Sequence, residues 1–170
     1  MLRTVVVCGA LALGACDKPS DFVPKKPAAS SAPAAPSSLE MLNLRAALQP
    51  CERAMEAGSE EIAAVAVNKP DLAKRALIQN VRQVCAGAVD KVRGLPLWGR
   101  LKDPCVRAVD AREVVAAGAL DVLDAKAGAL GVETLRNKIA DQAAASRACA
   151  DEIAFAERDD DEAAPLPPAS

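Results

Sequence analysis

Pro50-Cys51-Glu52-Arg53-Ala54-Met55-Glu56-Ala57 recurs downstream as Pro104-Cys105-Val106-Arg107-Ala108-Val109-Asp110-Ala111. The shared pattern is P-C-x-R-A-x-[ED]-A. Matched alanines carry little weight in a chain this rich in Ala, but Pro, Cys and Arg in register do. A weaker echo follows, Cys85-Ala86-x-x-Val89 against Cys149-Ala150-x-x-Ile153. The stretch from Leu39 to Arg158 therefore reads as two copies of one unit, each opening on P-C and closing near C-A.

Each unit has the marks of a helical hairpin. Asp103-Pro104 reads as a helix start, with Asp as N-cap and Pro at the first helical position, and Gln49-Pro50 is a poorer version of it. Asn68-Lys69-Pro70 interrupts the first unit in its middle, and Gly128 to Gly131 interrupts the second. After the first break, Leu77, Val81, Val84, Ala88 and Val92 recur at spacings of four and three. After the second, Val132, Leu135, Ile139, Gln142, Ser146, Cys149 and Ile153 do the same. Gln142 and Ser146 weaken that stripe, and Ala140, Ala143 and Ala150 are expected to widen it. One apolar face per helix is what a bundle requires.

The cysteines fit this plan. Residues 51 and 85 have their midpoint at 68, in the first break, and residues 105 and 149 at 127, beside the second. Residues equidistant from the turn of an antiparallel hairpin lie at one height. The pairing Cys51–Cys85 with Cys105–Cys149 is thus expected to staple the open end of each hairpin, the other two connectivities staying open. Each bridge is worth roughly 3–4 kcal/mol on the chain-entropy model. With no C-x-x-C in the chain, a structural role is favoured over redox or metal chemistry.

Composition supports the same fold class. Good helix formers dominate, and Phe22, Trp98 and Phe155 are the only aromatic residues. A sheet core would draw on more aromatic and β-branched residues. The reading is all-α: an antiparallel four-helix bundle made of two duplicated, disulfide-stapled hairpins (about 50–93 and 104–157), plus a short N-terminal helix over Leu39–Leu48.

The net charge of −2, without a basic stripe, gives no footprint for nucleic acid. There is no histidine, which removes imidazole bases, the usual triads and most zinc and haem sites. No catalytic, cofactor-binding or metal-binding constellation is expected, and so no enzyme.

The N-terminus carries an address. Met1-Leu2-Arg3 is a short basic start, and Thr4 to Ala15 is an apolar run of about 18 Å as a helix, too short for a lasting span of a ~30 Å hydrocarbon core. It ends Leu13-Gly14-Ala15-Cys16, which resembles the lipobox of bacterial lipoproteins. The resemblance covers residues 1–16 only. It implies that 1–15 is a signal peptide removed by signal peptidase II. Cys16 then carries a diacylglyceryl group that holds the protein on a membrane of the cell envelope, facing the periplasm. Asp17 leans toward the inner membrane.

Residues 16–38 hold Pro19, Pro24, Pro27, Pro33 and Pro36 among Ala, Ser and Lys, a tether of polyproline II character. The bundle domain follows over 39–158, and 159–170 is an acidic, then Pro-rich tail expected to lack structure.

The link Gly94–Lys102 contains the only Trp. Leu97, Trp98 and Arg100 are the candidate interface residues, since Trp and Arg are enriched at binding hot spots; the competing reading is a hydrophobic lid on the bundle. Arg53 and Arg107 sit at equivalent places, either as a paired anion site or as i,i+3 partners of Glu56 and Asp110. Asp110 with Glu113 and Asp121 with Asp124 read as solvated faces, and the acidic run 157–162 lacks the spacing and Gly of a calcium loop. The expected function is a non-enzymatic protein-binding or assembly module of the envelope, with an envelope protein as partner. The alternative is a periplasmic inhibitor or immunity-type factor against a hydrolase or toxin.

Overall fold

Ser37 begins the first helix. Its hydroxyl accepts from the Glu40 backbone N–H at 3.3 Å, while the Glu40 carboxylate accepts from the Ser37 N–H at 2.7 Å, a reciprocal capping box. The computed structural model describes residues 36–125 and 130–162, the side chains of 159–162 excepted. Residues 1–35, with the expected signal peptide, Cys16, Asp17 and most of the expected tether, and Gly128 and the tail from 163 lie outside the described residues.

Four helices follow in antiparallel order: α1 (Ser38–Ala66), α2 (Arg75–Gly94), α3 (Gly99–Leu123) and α4 (Gly131–Glu162), with a 3-10 turn (Leu72–Lys74) before α2. The four form a helical bundle without a strand among the described residues. α1 packs on α2, α2 on α3 and α3 on α4, whereas the seam between α1 and α4 is the least packed.

Two expectations at the prolines are overturned. No separate short helix ends before Pro50, and Pro104 is not at a first helical position: both prolines lie inside helices. α1 runs unbroken for 29 residues because Met41, Leu44, Leu48 and Cys51 continue one buried face across Pro50. An interior proline costs about 3 kcal/mol. Burying three side chains such as Met41, Leu44 and Leu48 returns about 1.5–3 kcal/mol apiece, which outweighs it. Pro50 is itself exposed, as is Ala46, whose carbonyl loses its i+4 donor to Pro50 and can turn to water. α3 likewise starts five residues before Pro104, because Leu101, Cys105 and Ala108 form one buried face. Its N-cap is Trp98, and Asp103 does not cap it.

The first break is built as read, with more detail. Asn68 takes φ 57°, donates to the Val65 carbonyl at 3.0 Å, and the Lys69 N–H reaches the Ala64 carbonyl at 2.8 Å. That is a Schellman ending with Asn in the left-handed position, followed by Pro70. The Arg136 Nε of α4 donates to the Ala66 carbonyl at 2.7 Å, covering the end of α1.

Both disulfides form as paired, Cys51–Cys85 and Cys105–Cys149, each with Cα atoms 4.6 Å apart. Their height is a correction. Because α1 continues through Pro50, about 20 Å of helix lies beyond Cys51 toward the α2–α3 link. The staples therefore ring the waist of the bundle and do not close its end.

The buried stripe of α2 is Ile78, Val81, Cys85, Ala88, Val89 and Val92, with Leu77 and Val84 only half-buried. In α4, Leu135, Cys149 and Ala156 are buried, but Ala140, Ala143 and Ala150 are exposed and do not widen the stripe. Gln142 donates to Ser146 Oγ at 3.0 Å instead, leaving a polar break in that face. α4 also continues to Glu162, into the acidic run.

Replacing Ser37 with Ala is expected to lower stability by about 1 kcal/mol in denaturant titrations near neutral pH. The Ser37 backbone N–H, and after it the Ser37 hydroxyl, which donates to the same carboxylate at 2.9 Å and is lost in the alanine variant, hold the Glu40 carboxyl below its ordinary value of 4.5. A lowered folded value means its contribution is complete above 4.5 and disappears as pH falls through that lowered value. The penalty of Ser37→Ala should accordingly shrink in acid; a penalty that is constant from neutral pH to pH 2 would contradict the reciprocal cap.

Candidate functional site

The link between the hairpins turns inward. Leu97 is 7% exposed and Leu101 1%, so both belong to the core, and Leu95 packs against it. Trp98 is half-buried, and its Nε1 is the buried side-chain polar atom without a partner among the described residues. Arg100 lies over the Phe155 ring at 4.2 Å from its centroid and pairs with Glu152 at 2.9 Å. Lys102 Nζ donates to the Arg93 carbonyl at 3.3 Å, tying the link to the end of α2. Of the three candidate interface residues, Leu97 is buried, Trp98 half-buried and Arg100 exposed.

Arg53 and Arg107 are exposed and form neither a common site nor the i,i+3 pairs with Glu56 and Asp110. Glu113 and Asp124 are used between helices, by Arg82 at 2.8 Å and by Arg75 through two bonds of 3.0 Å. Exposed pairs of this kind contribute little, because water screens both charges. Among the described residues no group of His, Cys, Asp and Glu is placed to hold a metal ion, and no helix is long and apolar enough to cross a membrane.

The feature that stands apart is a groove on the α1/α4 seam, with a volume of about 330 Å³. Leu48 and Glu52 of α1 form one wall, and Ser146, Arg147, Ala150 and Ile153 of α4 the other, beside Cys149 of the second staple. Arg112 of α3 rises from the floor with its side chain 13% exposed. Glu52 is its ionic partner, at 3.8 Å, beyond hydrogen-bond distance. Burial pushes the Arg112 guanidinium below its ordinary value, and Glu52 pulls it partly back. Two contacts bridge the seam, Arg45 with Glu157 toward the link and Arg136 with the Ala66 carbonyl at the far end.

Sequence reading missed this site. Its partners lie 60 and 34 residues apart in the chain, so no local spacing joins Arg112 to Glu52 or Ser146. The legible sign was the pair Gln142 and Ser146, polar residues in an otherwise apolar stripe. Compared with protein-family models, with curated proteins and with solved structures, the chain matches none.

Proposed function

We propose that the chain is a lipid-anchored lipoprotein of the bacterial cell envelope, facing the periplasm, whose stapled bundle binds a protein partner and serves as an assembly module without catalysing a reaction. The lipobox-like Leu13-Gly14-Ala15-Cys16 supports the address. The observation that carries the binding role is the seam groove, with apolar walls and a recessed guanidinium that the fold leaves without a hydrogen-bonded anion. Sites of this make-up, mostly apolar with a few convergent polar groups, are the usual form of a recognition pocket.

Photo-crosslinking in intact cells tests the reading. A photoreactive residue at Ala150, in the groove, is expected to give one discrete protein adduct. The same residue at Ala140, exposed on α4 outside the groove, is expected to give none. No adduct at Ala150, or the same adducts at both positions, would overturn the binding role.

A further inference from the structure

The duplication offers an internal control for the groove. The register that matches Pro50 with Pro104 matches Gly58 with Arg112, and the register that matches Cys85 with Cys149 matches Val81 with Ala145. In the first hairpin the two positions are pressed together: a Cβ on Gly58 would lie 2.6 Å from Val81 Cγ2. In the second, the glycine is replaced by the arginine on the groove floor and the valine by an alanine. One copy of the unit is closed at this level, and the other is opened around a cation.

That cation is poorly satisfied. A guanidinium has five N–H donors, and those of Arg112 make no hydrogen bond to a described residue, Glu52 standing 3.8 Å away. Its nitrogens are not among the buried, unpartnered polar atoms of the described residues, so they stay open to the groove, where an anion can reach them. Arg147, on the rim, forms no ion pair among the described residues. Two guanidiniums therefore face one carboxylate, between Leu48 and Ile153.

We infer that this groove takes an acidic peptide segment of the partner, a carboxylate flanked by apolar side chains. The carboxylate bonds to Arg112, Arg147 meets it from the rim, and the apolar neighbours sit against Leu48 and Ile153. The inference rests on the binding role proposed above. Charge-assisted pairing to a planar guanidinium is the strong form of hydrogen bond, and a desolvated site makes it selective. A lipid is the competing occupant, and the vesicle arm of the titration below separates the two.

The full lipidated chain in detergent micelles can be titrated against two fluorescent peptides, one alternating leucine with glutamate and one alternating leucine with glutamine, with anisotropy as readout. The glutamate peptide is expected to bind about tenfold tighter or better, and Arg112→Met to lose about that factor. Arg112→Lys should recover part of it, while Arg107→Met, on an exposed face, should change nothing. Should Arg112→Met not fold, as judged by helical circular dichroism and disulfide mapping, Glu52→Gln supplies the second arm. Freeing Arg112 from its competitor should tighten binding of the glutamate peptide severalfold. Equal binding of both peptides, or an affinity indifferent to both Arg112→Met and Glu52→Gln, would overturn the inference. So would displacement of the peptide by phosphatidylglycerol vesicles, which would assign the groove to lipid. An Ala150 adduct that persists in cells carrying Arg112→Met would remove the carboxylate while leaving the partner-binding role standing.

Discussion

Replacing all four bundle cysteines with alanine is expected to abolish cooperative folding at physiological temperature, with loss of the helical signal and rapid proteolysis. The loops closed by Cys51–Cys85 and Cys105–Cys149 span 34 and 44 residues. On the chain-entropy model each is worth about 4 kcal/mol, so the two together reach about 8 kcal/mol. A domain of this size has only about 5–15 kcal/mol of net stability. Each double Cys→Ala variant should remain folded but unfold at markedly lower urea. Because loop length enters only as a logarithm, the two penalties should agree within a few tenths of a kcal/mol. Urea titrations of the two variants check both statements. Penalties below about 1 kcal/mol would mean the bundle does not depend on its staples.

Cys16→Ala is expected to give an all-or-none result. On the proposed lipoprotein reading, the wild-type chain takes up labelled palmitate and begins at Cys16, whereas the variant takes up none and keeps residues 1–15. Each buried CH₂ contributes about 0.8 kcal/mol, so several acyl chains make an anchor that washing with salt does not release. Fatty-acid labelling and intact mass settle the matter in one preparation. Labelling that survives the substitution, or a mature chain starting at Cys16 without lipid, would sink the reading.

What the chain reveals on reading depends on whether the deciding interaction is local or repeated. The cysteine pairing was legible because a hairpin converts sequence arithmetic into height: 51 and 85 straddle Asn68, where the helix does end. The prolines misled because P-C looks like a helix start, although Met41, Leu44, Leu48 and Cys51, spaced by three, four and three, already carry one apolar face across Pro50. Propensity lost there to tertiary burial. Leu97, grouped with Trp98 and Arg100 because Trp and Arg are enriched at hot spots, is 7% exposed, a burial that no local spacing in the link announces. The groove was hidden for another reason. Arg112 acquires its meaning from Glu52 on one helix and Ser146 on another, and only the comparison of Gly58 with Arg112 across the duplication singles it out.

Placing the staples at the waist also settles how the molecule breathes. Amide hydrogens in the outer turns, near Asn68 and Ala125 at one extremity and near Ser38 at the other, exchange through fraying that needs no covalent bond to yield. Opening that begins at either extremity runs inward and stops where Cys51–Cys85 and Cys105–Cys149 hold the helices 4.6 Å apart between Cα atoms. Cys149, one of those anchored residues, borders the groove. The proposed recognition surface would thus lie at the node of the motion, where a ligand meets walls already in place and loses little entropy on binding.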